Sequence, residues 1–365
     1  MILHAYFARR FALNFLVLTV VLFSLVALVD LVDQTRSFSE LDISFGKIVG
    51  LTLLNAPQTV NEILPLIMIL ATIALFIGLA RSSELVATRA AGRSGLSALF
   101  APVLVALVIG GLAVTMLNPI VAGTSKRYSE LAESYRTGGK STLSISREGL
   151  WLRQGDATGQ SVIRAWRSNS DASILYDVTI VTYAPGQGPV RRIKARSAAL
   201  QEGGWLLRRA KLWKLKEGFN SEANAETHSK LFIPSSLTLD RIRESFARPN
   251  AISIWKLPQF IEQLDEAGFS SRQHRVWLQS ELARPLFLMS MVLIASAFTM
   301  RHTRFGGTGI AVLAAVLLGF GLYFIRSFAQ ILGENGQIPI YLAAWAPPLA
   351  AVLLALGLLL HAEDG

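Results

Sequence analysis

Six apolar runs dominate this chain, three ahead of residue 122 and three beyond residue 275, and the stretch between them is polar. A run of about 20 apolar residues matches a hydrocarbon core about 30 Å thick. Lipid offers the backbone no hydrogen-bond partner, so each such run has to be a helix. The runs fall near residues 11–32, 51–80, 96–121, 276–300, 309–332 and 338–360. Only 16% of the residues are charged and mean hydropathy is +0.44, against about 25% charged in soluble domains. The chain is therefore read as a polytopic membrane protein. No small-residue cleavage site follows the first run, which marks it as a span rather than a removable signal.

Two runs are irregular. The second carries Asn55, Pro57, Gln58, Asn61 and Glu62 before its clean apolar part, and the fourth has an amphipathic start ahead of Pro285 that must also be helical. Lys and Arg in short loops set the orientation. Arg9, Arg10, Arg81, Arg89, Arg93, Arg301 and Arg304 fall on one side, while Asp30, Asp33, Glu40, Asp42 and Glu334 fall on the other. The alternation predicts cytoplasmic termini and a middle domain on the outer side. Much of the +10 net charge lies in that domain. It suits an anionic partner or membrane surface, though ordinary solvated surface charge is the commoner explanation.

The middle stretch changes period. Thr142-Leu143-Ser144-Ile145-Ser146 alternates strictly, Ile174, Tyr176, Val178 and Ile180 alternate with their neighbours, and Trp213 and Leu215 alternate with Lys214 and Lys216. Breaks at Gly155-Asp156, Pro185-Gly186 and Gly203-Gly204 separate short strands, the pattern of an all-β sandwich or open barrel. Leu257, Phe260, Ile261 and Leu264 then repeat at helical spacing, with Pro258 near the start and Gly268 just past the end. They predict a short amphipathic helix, at the membrane boundary or against the β-domain. The expected organisation is 1–122 for spans one to three, 123–255 for the β-domain, 256–270 for the connecting helix and 271–365 for spans four to six.

Chemistry is sparse. There is no cysteine, and the five histidines (His4, His228, His274, His302, His361) are scattered. Disulfides and thiol catalysis are excluded, and no histidine pair has metal-ligand spacing. Gly138-Gly139-Lys140-Ser141 imitates the tail of a phosphate-binding loop, but the required earlier glycine is Ser134. No cofactor is expected, and no enzyme activity. Two features stand out instead. Residues 81–93 (RSSELVATRAAGR) predict a small amphipathic helix in a short basic loop, either a plain basic loop or a docking helix with Glu84 as its acidic contact. Arg326 lies inside the fifth run, as a functional charge or one that snorkels to the boundary. Arg36, just past the first run, is a headgroup candidate or a solvated loop charge. Asn55, Gln58, Asn61 and Glu62 read as a wet entrance to span two.

Together these features resemble the LptF/LptG permease family of the lipopolysaccharide exporter, over nearly the whole chain. The resemblance rests on the three-plus-three layout, Leu31-Val32-Asp33-Gln34, Arg81-Ser82-Ser83-Glu84-Leu85-Val86 followed by Ala91-Gly92, Gly149-Leu150-Trp151-Leu152, Leu257-Pro258-Gln259-Phe260 and Pro285-Leu286. The Val-Asp-Gln and Ser-Glu-Leu-Val details look closer to LptG than to LptF. The resemblance implies six transmembrane helices with an inserted periplasmic β-jellyroll-like domain, in the inner membrane. It implies an LptF-like paralogue as heterodimer partner, an LptB-like ATPase dimer, an LptC-like single-span protein, and lipopolysaccharide as cargo squeezed from a cavity gated by spans one and five. It makes residues 81–93 a coupling helix with Glu84 as the main contact and Arg81, Leu85, Arg89 and Arg93 beside it. Arg36 and Arg326 become candidates for the phosphorylated head group. One departure is visible: members of the family can carry a basic residue where this chain has Asp30. A secondary transporter would show broken helices or mid-membrane carboxylates, and a membrane scaffold would have no partner ATPase; these are the rival readings.

Overall fold

The apolar runs other than the fourth are extended by their polar flanks into longer helices than lipid alone demands. The computed structural model describes residues 2–39, 43–90, 92, 94–137, 141–146, 149–156, 159–168, 173–184, 188–215, 222–235, 248–266, 270–300 and 308–364. Helix α1 (Ile2–Ser37) has 36 residues and no proline, about 54 Å at 1.5 Å per residue. Helix α2 (Phe45–Arg81) carries Pro57 and Pro65 within it. A short α3 (Glu84–Ala90) precedes α4 (Gly95–Leu112), which runs through a π-helical turn (Ala113–Leu117) into α5 (Asn118–Thr137). Ser94 opens α4 by accepting a hydrogen bond from the Ser97 amide.

The amphipathic start of the fourth run is helical, as expected, but separate: α7 (Arg272–Leu282) and α8 (Arg284–Thr299) meet at a 48° bend. Pro285 accounts for it, since its ring lacks an N–H and crowds the carbonyl four residues back. Helices α9 (Thr308–Glu334) and α10 (Ile340–Asp364) follow toward the C-terminus. Among the described residues, five helices are long and apolar enough to cross a membrane, six if the bent pair counts as one span.

The chain divides into two compact units, one of residues 1–129, 250–255 and 272–365, the other of residues 130–249 and 256–271. In the first, Phe7, Phe11, Met68, Phe76, Leu79, Phe287 and Met291 make a continuous core. Small residues bring the helices together there: a Cβ on Gly110 would sit 2.6 Å from the Pro285 Cα. Leu13, Val17, Val20 and Leu28 on α1, and Leu317, Phe324 and Phe328 on α9, stay exposed, as expected for helices that face lipid or a partner.

The second unit is one antiparallel sheet in which β1 (Ser141–Ser146), β2 (Gly149–Asp156), β3 (Gly159–Ala165), β5 (Ile174–Ala184), β6 (Gly188–Gln201), β7 (Gly204–Lys214) and β8 (Glu226–Pro234) pair in chain order. The two-residue β4 (Arg167–Ser168) joins β5 off this path. Period-two burial follows: Val178 and Ile180 point inward, as do Ile193, Ala195 and the fully buried Trp205. Asp177 and Arg209 adopt positive φ, where two consecutive residues of each strand turn outward (Tyr176 with Asp177, Arg208 with Arg209). Alternation breaks along this line, which lets the sheet bend. Helix α6 (Leu257–Glu266) packs Phe260 and Leu264 onto the same core. The expected helix stop at Gly268, the turn at Pro185-Gly186, and Arg301, Arg304, Glu40 and Asp42 lie outside the described residues.

Candidate functional site

Helix α2 ends at Arg81, where the Ser82 amide bonds back to the Gly78 carbonyl at 3.1 Å. Ser83 then takes φ 58°, a left-handed conformation that non-glycine residues seldom adopt. It turns the chain sharply into α3. Helix α3 packs against α2 and α4, with Leu85 and Thr88 buried and Val86 exposed. The structure places a helix over Glu84–Ala90, inside the expected 81–93, and buries its Leu85. Arg89 belongs to α3 by its backbone, Arg81 is exposed at the end of α2, and Arg93 lies outside the described residues.

Glu84 opens α3 with its side chain one-third exposed. Its Oε1 accepts hydrogen bonds from Arg10 Nη1 at 2.8 Å and from Ser82 Oγ at 2.7 Å. The same Arg10 nitrogen donates to the Tyr6 hydroxyl at 2.8 Å, and the guanidinium lies 5.8 Å from the Tyr6 ring centroid. Partial burial pushes the Glu84 carboxyl upward, but hydrogen bonds from Ser82, Arg10 and Tyr6 outweigh it and hold the group below its ordinary value. Glu84 is thus an ionised, oriented acid in a basic setting. In the sequence Arg10 counted only toward orientation; no local pattern links it to a residue 74 positions on.

A second polar group is buried in the helical unit. Glu281 is fully buried and Arg284 is 7% exposed. The Arg284 guanidinium donates to Glu281 Oε1 and to Asn61 Oδ1. Asn118 Nδ2 donates to Glu281 Oε2 at 3.2 Å, and Asn118 Oδ1 accepts from the Ile254 amide at 2.8 Å. Four elements are joined: α2, the start of α5, the bent α7–α8 pair and the segment at Ile254. Asn61, read as part of a wet entrance, is instead 3% exposed and structural. Asp30, the departure noted above, accepts from Asn55 Nδ2 at 2.9 Å and ties α1 to α2.

Arg326 stands on α9 with its guanidinium 5.0 Å from the Phe287 ring centroid, eight residues from the helix end, or about 12 Å. Its Nε is buried without a hydrogen-bond partner. Arg36 is exposed in the last turn of α1. Among the described residues no hydrogen bond links these two arginines, and no group of acidic or histidine side chains is arranged to hold a metal ion.

The chain is a helical bundle interrupted after its third span by an antiparallel sheet, with a short acidic-headed helix between spans two and three. The chain matches the family described as lipopolysaccharide export system permease LptF/LptG over residues 5–361. It belongs to the LptF/LptG permease family. Similar relatives include the lipopolysaccharide export system permease protein LptG of Haemophilus influenzae, 23% identical over 352 residues and 94% of each chain. The LptG of Escherichia coli K12 is 23% identical over 374 residues, covering 99% of this chain and 98% of its own. This LptF/LptG-family chain is thus a multi-pass inner-membrane protein of the permease type, with a β-domain inserted between its two sets of helices.

Proposed function

We propose that this chain is a permease subunit of an ATP-driven lipopolysaccharide exporter, extracting lipopolysaccharide from the outer leaflet of the inner membrane and passing it to a periplasmic β-jellyroll bridge. The observation that carries the reading is α3: a helix outside the spans, anchored through Leu85, whose first residue Glu84 is kept ionised and oriented. In this reading Arg9, Arg10, Arg81 and Arg89 mark the cytoplasmic side, and α3 docks into the LptB-like ATPase through Glu84, with Arg81, Arg89 and Arg93 as neighbours. The β-domain then lies in the periplasm. An LptF-like paralogue supplies the other half of the cavity, and an LptC-like protein stands alongside. Acyl chains need the apolar faces left exposed on α1 and α9. The phosphorylated head group needs cations, for which Arg326 and Arg36 are the candidates.

The test is co-expression with the candidate ATPase and paralogue, purification through a tag on this chain, and comparison of wild type with Glu84→Ala. Recovery of the ATPase by wild type, with its loss or loss of ATP-driven lipopolysaccharide release in the variant, supports the reading. Wild type that recovers no ATPase refutes it.

A further inference from the structure

We propose that Arg10 couples the docking helix to the first span: its ion pair with Glu84 ties α3 to α1, so that a displacement of α3 by a partner is delivered to α1. The inference rests on the docking role given to Glu84 above and adds a residue from the far side of the sequence.

Three observations carry it. First, α3 is held to α2 and α4 by apolar packing around Leu85, whereas on the α1 side its Glu84 meets a polar pair: Arg10, whose Nη1 donates to Glu84 Oε1 at 2.8 Å, and Tyr6, which also bonds the carboxylate. Second, that link is built rather than incidental. Tyr6, one helical turn before Arg10, accepts from the same guanidinium nitrogen. Gly78 on α2 lies alongside the guanidinium: a Cβ there would just touch Arg10 Nη2, at 3.4 Å. Third, α1 is a single helix of 36 residues with no proline, and sharp kinks in helices arise mostly at proline. A force applied at Arg10 therefore moves α1 as a rod along its whole length. Helix α2, with Pro57 and Pro65, lacks that property. A partner cation reaching the exposed part of Glu84 would share a carboxylate that already grips span one, so docking and span movement act on one group.

The test uses the complete complex of this chain with its paralogue and ATPase, with Arg10→Met and Arg10→Lys in this chain. Three quantities are read: ATPase recovered, ATP hydrolysed, and lipopolysaccharide released per ATP. In Arg10→Met, recovery and hydrolysis stay within about twofold of wild type while release per ATP falls by about fivefold or more, the low end of coupling between linked sites. Arg10→Lys recovers at least about half of the lost ratio, because an ammonium restores the ion pair without the planar fork. Should Arg10→Met not fold, Gly78→Leu, which crowds the guanidinium from α2, carries the same expectation. The inference is overturned if release per ATP is unchanged, if Arg10→Met loses the ATPase as fully as Glu84→Ala does, or if Lys restores nothing. A wild-type chain that recovers no ATPase overturns the docking reading itself, and is recognised before any substitution is made.

Discussion

The buried group around Arg284 allows the sharpest energetic prediction. Arg284→Met removes a cation beside a carboxylate with no exposure to solvent. Glu281→Leu does the converse. Breaking one partner of a buried ion pair costs about 3–5 kcal/mol, because the other charge stays in a low-dielectric interior. Removing both charges together avoids that term. What remains is Asn61 Oδ1 and Asn118 Nδ2 without their partners, at about 1–3 kcal/mol each. The singles should therefore sum to about 6–10 kcal/mol while the double variant costs about 2–6, a coupling energy on the order of 4 kcal/mol. Denaturant unfolding of the purified chain in detergent, followed by circular dichroism, measures all three variants in one cycle. A coupling below about 1 kcal/mol, the level of an exposed pair, would falsify the claim that Glu281 and Arg284 act as a pair in a dry site.

Three further outcomes are expected. Gly110→Val forces α4 off Pro285 and should lower stability by about 1–3 kcal/mol. The same change at neighbouring Gly111, which has open space beside it, should cost much less, and equal melting shifts would contradict the close approach. Trp205→Ala should cost about 3–5 kcal/mol, seen as early proteolysis of the β-domain in the full chain. Trp205→Phe should be far milder, since the indole N–H it removes has no partner. Finally, the carboxyl of Glu84 is depressed below its ordinary value of 4.5, so the stability it contributes is fully present above that pH and is lost as pH falls through the folded-state value. The stability difference between wild type and Glu84→Gln should stay constant from neutral pH to about 4.5 and shrink below it; a difference that fades near pH 6 would rule this out.

What the sequence determined by itself is whatever depends on neighbours along the chain. Transfer into lipid is a property of local composition, so the spans, the polar insertion and the period-two strands were legible, and the short helix at Glu84 followed from spacing. The helical start ahead of Pro285 was legible, but the 48° bend between α7 and α8 was not read from the sequence. The tertiary structure alone decided which polar residues meet. Arg10 reaches Glu84 across 74 positions, Asn118 reaches Glu281 across 163, and Arg284 reaches Asn61 across 223. Asn61 looked like a residue at a wet helix entrance because its own neighbours Gln58 and Glu62 are polar; only the approach of α8 buries it. A side chain buried in a bundle must find its hydrogen-bond partner on another helix, and nothing local in the sequence says which helix that is.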